Sequence, residues 1–319
     1  KLNQTVEKLS EVSGKLNTVI SGIETALWAI KGKYYNMPVY EFLGGKVRDK
    51  LKVYSWIGGD RPNNVAEEAK QRFDQGFTAV KMNATEELHY IDSYEKVDQV
   101  LERMNSIKEL LGNKIQVGID FHGRVHKPMA KILIKELEPF RPMFIEEPVL
   151  PENWDAIIDT AKNSPIPIAT GERLSTRWEF KRLFNNNSVD IIQPDVALAG
   201  GILETRKIAA AAEMYDIAVA PHAPYGPVAL AATLQLDMCT PNVFIQEQSL
   251  GIHYNKGFDL IDFVKNKEIF MFKDGYLDVP EKPGLGIEID EELVKKVSAE
   301  GLVWTNPKWK NYDGTIAEW

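Results

Sequence analysis

The chain has 319 residues, of which 44% are apolar, enough for a large core such as a single barrel domain of roughly 250 residues. Its net charge of −8 argues against a nucleic-acid-binding surface, which would be basic. One cysteine, Cys239, no apolar run of membrane-spanning length and a start without the features of a signal peptide favour a cytoplasmic protein without membrane contact.

Eight short runs of β-branched and apolar residues recur along the chain, and amphipathic stretches such as NNVAEEAKQRF separate them. The runs cover residues 51–56, 78–83, 115–122, 143–149, 166–172, 189–195, 217–222 and 243–249. Strands that alternate with helices favour a parallel sheet, and eight such repeats favour a closed (β/α) barrel. The alternative is an open doubly wound sheet, but Ile57-Gly58-Gly59-Asp60 after the first run is not its phosphate-binding fingerprint.

The two ends of the chain do not follow this repeat. Residues 1–50 are predicted to be helix and turn, and residues 256–319 are irregular and rich in proline, glycine and tryptophan. We therefore predict a barrel over residues 51–255, with both ends packed outside it.

An ionisable side chain stands at the end of each run from the third onward. These residues are Asp120, Glu146, Glu172, Asp195, His222 and Glu247. Successive members are separated by 23 to 27 residues, about one strand and one helix. The carboxyl ends of barrel strands point to one face, where active sites lie. Six residues far apart in sequence are therefore expected at one mouth, a regularity that helix caps would not produce.

The first three of these residues predict a metal site. Asp120, Glu146 and Glu172 come from consecutive strands, and three neighbouring carboxylates repel unless a cation offsets them. Mg²⁺ prefers oxygen ligands and would stabilise charge developing on a bound carboxylate. The alternative is a salt-bridged cluster with Arg124 or Arg173.

Two histidines are candidates for acid–base chemistry. Asp195 and His222 end neighbouring strands, and a carboxylate that orients an imidazole suits a general base near neutral pH. His122 lies two residues beyond Asp120, so strand alternation would place it on the same side as a general acid or second base. The alternative for His222 is a buried histidine whose partners are backbone atoms.

Other residues are weaker candidates. Glu247, if protonated in an acidic site, could donate a hydrogen bond to a developing oxyanion. Lys81 and Asn83 end the second run and could bind substrate oxygens, although an ion pair at the rim explains Lys81 equally well. Gly200-Gly201 before a helix could hold an anion, but a tight turn is the simpler reading.

These motifs together resemble the enolase superfamily, in the branch of mandelate racemase and the acid-sugar dehydratases. The resemblance rests on DFHGRVHKPMAK, FIEEPV, GERL, IIQPD, APHAPYGPVALAA, QEQSLGIHYN and PGLGIEID, and runs from about residue 20 to the C-terminus. It implies an α/β fold, a (β/α)₇β TIM-like barrel with remnants of an α+β capping domain at both termini. It also implies a dehydratase with a small sugar-acid substrate, a histidine base and Mg²⁺.

The resemblance implies a role for each matching residue. Asp120, Glu146 and Glu172 correspond to Mg²⁺ ligands, and His222, oriented by Asp195, to the base that removes the C2 proton. His122 corresponds to the acid for the departing C3 hydroxyl, and Glu247 to a residue that hydrogen-bonds the substrate carboxylate. The product would be a 2-keto-3-deoxy sugar acid.

One departure concerns the second strand. Where many relatives have Lys-x-Lys, this chain has Lys81-Met82-Asn83. Racemisation normally needs two bases that face one carbon, so Asn83 argues against the racemase alternative and fits a dehydratase. A non-enzymatic metal-binding scaffold is the third reading.

The resemblance also predicts a missing part. The strand-rich start of the capping domain has no counterpart before residue 20, so residues 1–50 would be only a partial cap that residues 256–319 complete. Without a cover, the site would stay wet and turnover would be poor. Apolar surface left uncovered in this way would promote association, and we expect a homo-oligomer.

Overall fold

The computed structural model describes residues 14–248, 259–301, 309–315 and 317. Eight strands within these residues follow the eight predicted runs, and each lies inside its run except β1, which is longer by one residue at each end. They are β1 (Lys50–Ile57), β2 (Ala79–Asn83), β3 (Gln116–Asp120), β4 (Phe144–Glu146), β5 (Ile168–Thr170), β6 (Ile191–Ile192), β7 (Ala218–Val219) and β8 (Gln246–Glu247).

A helix precedes β1, and a helix follows each strand from β1 to β7. They are α1 (Gly14–Tyr35), α2 (Val65–Asp74), α3 (Tyr94–Leu111), α4 (Lys127–Leu137), α5 (Trp154–Asn163), α6 (Arg177–Asn186), α7 (Ile202–Glu213) and α8 (Pro227–Met238). In α3 the buried residues recur every three or four positions, the spacing of one helix face, at Val97, Val100, Met104, Ile107 and Leu111. No helix in the described part of the chain combines the length and apolar content needed to cross a membrane.

The backbone packs as two units. Of the described residues, the first unit contains 14–53, 172–184, 193–248 and 259–301, and the second contains 54–171, 185–192, 309–315 and 317.

In the second unit, the strands from β1 to β6 pair in chain order as parallel neighbours. The register pairs Asn83 with Asp120, and Asp120 with Glu146, so these polar residues form a row across the ends of three strands. A side chain at Gly118 would place its Cβ 2.8 Å from the ring of Phe144. Glycine at this position therefore lets β3 and the β4 aromatic ring pack closely.

The first unit contains the later elements. An isolated parallel bridge joins Val219 of β7 to Val243, and β8 pairs with β1. Helix α8 is buried along most of its length, on every side from Leu230 to Met238, as expected for a helix inside the core. The side-chain amide of Gln235 links it to the backbone of Tyr40 and Leu285, at 3.1 and 3.3 Å.

The region after residue 258 is more regular than the sequence suggested. It contains the hairpin strands β9 (Phe272–Lys273) and β10 (Tyr276–Asp278), and β10 pairs antiparallel with β1. Helix α9 (Glu291–Ala299) follows, and the Asp290 side chain accepts the Leu293 N–H at its start. An N-capping Asp followed by two Glu residues is a helix-start signal that composition alone concealed.

Candidate active site

The three predicted metal ligands are buried carboxylates at or just after the ends of consecutive strands. Asp120 and Glu146 end β3 and β4 in register with each other, and Glu172 follows β5 by two residues. The residues are only 5%, 0% and 7% exposed. Water screens charges this deeply buried only weakly, so the carboxylates repel one another unless a cation offsets them. The donor set, all carboxylate oxygen, fits a hard divalent cation.

The ammonium group of Lys81 pairs with two of these carboxylates. Its Nζ lies 2.8 Å from Glu146 Oε1 and 3.9 Å from Asp120 Oδ2. The same nitrogen lies 5.6 Å from the ring centroid of Tyr54. The sequence left a rim ion pair and a substrate contact equally open. The ion pair is present but buried, and it offsets part of the negative charge of the three carboxylates.

Asn83 lies in register with Asp120, and its side chain is buried. Its Nδ2 donates a hydrogen bond to the backbone oxygen of Asp60, at 3.3 Å. This bond ties the end of β2 to the loop after β1, so one donor of the amide has a partner within the protein.

The two arginines considered as alternative partners make different contacts. Arg124 is buried and donates hydrogen bonds to the backbone oxygens of Asp60 and Thr85. Arg173 Nε lies 3.8 Å from Glu172 Oε1, beyond hydrogen-bonding distance. Arg124 therefore anchors the loops after β1 and β2, whereas Arg173 interacts with Glu172 only through charge in this contact.

His222 and Asp195 form a buried pair. His222 Nδ1 lies 2.7 Å from Asp195 Oδ2, and Asp195 Oδ1 accepts the N–H of Ala197 at 2.6 Å. The other ring nitrogen, Nε2, lies 3.7 Å from Glu172 Oε2. With Nδ1–H bonded to the carboxylate, the neutral ring carries its lone pair on Nε2, the tautomer that a general base requires.

Charge around His222 controls its basicity. Burial lowers the pKa of the ring, but Glu172, the hydrogen bond to Asp195 and the charge of Glu247 together raise it to about 10. A histidine with that pKa keeps its proton at neutral pH and cannot act as a base. Neutralising the charge of Glu172, as a bound cation would do, removes one of the causes and shifts the pKa of His222 down.

His122 lies just after β3, in a left-handed backbone conformation with φ +49°. Its backbone N–H donates to Asp120 Oδ1 at 2.6 Å, and its Nδ1 lies 3.9 Å from Asp120 Oδ2. The side chain is 33% exposed. Strand alternation does not explain its position, because the strand ends at Asp120. A tight turn brings the ring and the carboxylate together instead.

Glu247 ends β8 and is buried. Its Oε2 accepts the backbone N–H of Ala223 at 2.9 Å. Because Ala223 follows His222 directly, this bond holds the carboxylate of Glu247 close to the backbone that carries the imidazole.

Sequence reasoning passed over two residues for which the structure shows specific contacts. Tyr225 lies three residues after His222, and its ring packs edge-on against the imidazole at a centroid distance of 5.7 Å. Glu24 on α1 accepts backbone N–H groups at the start of α7. The position of Tyr225 within APHAPYGP was a usable signal, whereas the contact of Glu24 joins residues about 180 positions apart and left no local pattern.

Comparison with protein families gives a match over residues 64–293 to the family described as enolase C-terminal domain-like. The chain is 52% identical to the D-galactonate dehydratase of Ralstonia pickettii over 304 residues, which are 95% of this chain and 80% of the relative. It is 53% identical to the D-galactonate dehydratase of Pectobacterium atrosepticum, with the same coverage of both chains.

Solved structures show the same relationship. The crystal structure of an enolase from Agrobacterium radiobacter, with bound Na and L-malate, superposes with a TM-score of 0.83 at 33% identity, covering 94% of this chain and 78% of that one. A member of the enolase superfamily from Salmonella Typhimurium gives 0.82 at 27% identity, covering 93% and 82%. The predicted α/β class, with parallel strands as in TIM-barrel proteins of this superfamily, is confirmed.

Proposed function

Because the chain belongs to the enolase C-terminal domain-like family, we propose that it is a hydro-lyase that converts D-galactonate to 2-dehydro-3-deoxy-D-galactonate. Two relatives more than half identical to it bear the name D-galactonate dehydratase, and the chain spans 80% of each. The observation that carries the proposal is the 2.7 Å contact of His222 with Asp195, with the other ring nitrogen 3.7 Å from Glu172. In this arrangement the oriented imidazole of His222 lies beside Glu172, one of the predicted metal ligands.

Asp120, Glu146 and Glu172 are the proposed ligands of the cation, which we propose is Mg²⁺. Their oxygens fit its preference, and their mutual repulsion favours binding. When bound, Mg²⁺ offsets this charge and, as a Lewis acid, the charge of a substrate carboxylate. The single ammonium of Lys81 offsets only part of the charge of the three carboxylates.

His222 is the proposed base for the C2 proton. Its Nδ1–H stays with Asp195, so the proton of C2 moves to Nε2 and its bonding electrons pass into the carboxylate as an enediolate. Asp195 also stabilises the imidazolium that forms, as a carboxylate does in other histidine-dependent sites.

His122 is the proposed acid for the leaving group. The enediolate returns its electrons to C2, the C3–O bond breaks, and the hydroxyl leaves as water with a proton from His122. The enol product takes a proton at C3 and becomes the 2-keto acid. One third of the His122 side chain is exposed, which would let it recover a proton from solvent.

Three further residues are proposed to contact substrate. Glu247 would hydrogen-bond the substrate carboxylate. Lys81 would balance the charge of the substrate carboxylate. The Asn83 amide, which has further donor capacity, would hydrogen-bond a substrate hydroxyl.

We also propose a cytoplasmic location and a homo-oligomeric state, on the grounds of the composition and the uncovered apolar surface.

A screen of sugar acids with Mg²⁺, assayed for 2-keto acid, tests the reaction. We expect D-galactonate to give the fastest turnover. Faster turnover of another aldonate would move the proposal to that substrate. Exchange of the C2 hydrogen with solvent, without loss of water, would favour a racemase or epimerase. Absence of both reactions across the library would favour a non-catalytic scaffold.

Deuterium exchange at C2, followed by NMR in D₂O, tests the roles of the histidines. His222→Asn should abolish exchange and dehydration together, whereas His122→Asn should slow dehydration and leave some exchange. His89→Asn is the matched control, because His89 is an exposed histidine outside the site, and it should behave like the wild type. Full exchange by the His222 variant would rule out its role as the base.

A further inference from the structure

Tyr225 lies on a short, stiff loop next to the proposed base. Prolines at 221, 224 and 227 recur every third residue between β7 and α8, and Pro227 is the first residue of that helix. Each proline ring fixes its own φ and narrows the choices of the residue before it. The position of Tyr225 relative to His222 is therefore largely set before any substrate binds.

The ring of Tyr225 packs against one side of the His222 imidazole. The opposite side of the Tyr225 ring is exposed. The two ring planes meet at 83°, an edge-on packing with centroids 5.7 Å apart. Tyr225 is 57% exposed, whereas His222 is 9% exposed. Among the described residues the phenol hydroxyl of Tyr225 makes no hydrogen bond. A polar, exposed hydroxyl group thus lies beside the proposed base.

The charge environment keeps this hydroxyl neutral. Burial raises the pKa of Tyr225, and the charges of Asp195 and Glu172 raise it further. A neutral phenol donates one hydrogen bond and accepts others. Such a phenol can pair with an alcohol of a sugar acid, and it can also donate to a carboxylate.

We propose that Tyr225 is a specificity-determining residue whose phenol donates a hydrogen bond to an alcohol group of the sugar acid beyond C3. This inference rests on the proposed function, which fixes C1 and C2 near the carboxylates and His222. The hydroxyls on C4, C5 and C6 are then the parts of an aldonate that distinguish it from its relatives. A site built to bind a hydroxyl rejects the analogue that lacks it, because its own polar group is left unpaired.

The test measures kcat/KM in the presence of Mg²⁺ for D-galactonate and for three analogues that each lack the hydroxyl at C4, C5 or C6. Wild type and Tyr225→Phe are compared, since Phe keeps the ring against His222 and removes only the oxygen. Tyr215→Phe is the matched control. Tyr215 stacks on Phe184 after α7, and the loss of its hydroxyl leaves that stacking intact.

We expect kcat/KM of the wild type to be about tenfold higher for D-galactonate than for one of the three analogues. Tyr225→Phe should lose that preference and keep the wild-type ratios of D-galactonate to the other two analogues. The Tyr215 variant should keep the wild-type ratios for all three analogues. Unchanged ratios in Tyr225→Phe, with D-galactonate still dehydrated by the wild type, would overturn the role of Tyr225 alone. No turnover of D-galactonate by the wild type would instead overturn the proposed function, and this inference with it.

Discussion

Glu24 on α1 caps the N-terminus of α7 through its carboxylate. Its Oε2 accepts the N–H of Ile202 at 2.8 Å, and its Oε1 accepts the N–H of Leu203 at 3.1 Å. A Cβ at Gly201 would overlap the side chain of Glu24, and the backbone there has φ +93°, so the position favours glycine. The Gly200-Gly201 turn, one of whose readings was an anion site, is filled by the protein's own carboxylate and has no room for a ligand anion.

Replacing Glu24 by alanine should therefore destabilise the fold by about 1–3 kcal/mol, because it leaves the buried N–H of Ile202 and the part-buried N–H of Leu203 unpaired. The indole N–H of Trp28 also loses its acceptor. Chemical denaturation gives the free energy of unfolding. Glu213→Ala, an exposed glutamate of α7, should change it by less than about 0.5 kcal/mol. Equal effects of the two variants would contradict the capping role.

The predicted metal site should be visible as a stability effect. At 100 times its dissociation constant, Mg²⁺ should stabilise the wild type by about 2.7 kcal/mol. Asp120→Asn should lose most of this gain, since one of three anionic ligands becomes neutral. Thermal unfolding with Mg²⁺ and with EDTA measures it, and Asp98→Asn, an exposed aspartate of α3, is the control. An undiminished Mg²⁺ shift in the Asp120 variant would place the cation elsewhere.

Asp195→Asn should show how much the proposed base depends on the carboxylate that orients it, because His222 itself stays in place. The amide keeps nearly the same shape, but it removes the charge and can hold the ring in the wrong tautomer. We expect C2 exchange to fall by about a hundredfold or more, while the affinity for D-galactonate changes little. Steady-state kinetics and deuterium wash-in measure this. Wild-type exchange in the variant would mean that His222 needs no carboxylate partner.

Asp237 on α8 should make stability depend on pH. It is fully buried, and neither of its carboxylate oxygens has a hydrogen-bond partner in the described part of the chain. Burial raises the pKa of Asp237 well above its usual value, although Arg48 acts in the opposite direction. Above about pH 4 the unfolded chain releases this proton while the folded chain keeps it. The free energy of unfolding therefore falls as pH rises through that range.

Asp237→Asn removes the titrating carboxyl group, so the fall in the free energy of unfolding with rising pH should disappear. We expect the variant to be the more stable protein at pH 8, with the difference shrinking towards pH 4. Urea denaturation between pH 4 and pH 8 measures the two curves. A variant that is less stable than the wild type at pH 8 would show that the carboxylate is ionised and paired in the fold.

Local patterns predicted the strands and the residues that follow them. Asp120 and Glu146 stand out because a charged residue at the end of an apolar run is conspicuous and repeats with a fixed spacing. The turn that carries His122 was not predictable from alternation, because the strand stops two residues earlier. The Lys81–Glu146 ion pair joins side chains 65 residues apart. Such contacts depend on side-chain packing in three dimensions, which periodicity does not describe.

At His122 the demands of stability and of the proposed chemistry conflict. A residue other than glycine held at φ +49° costs roughly 1 kcal/mol or more. Glycine would relieve that strain, and it would remove the imidazole that is proposed to protonate the leaving hydroxyl. A search for more heat-resistant variants would therefore tend to select against the reaction here. Stabilising substitutions are better sought where the backbone is unstrained and the side chain touches no substrate.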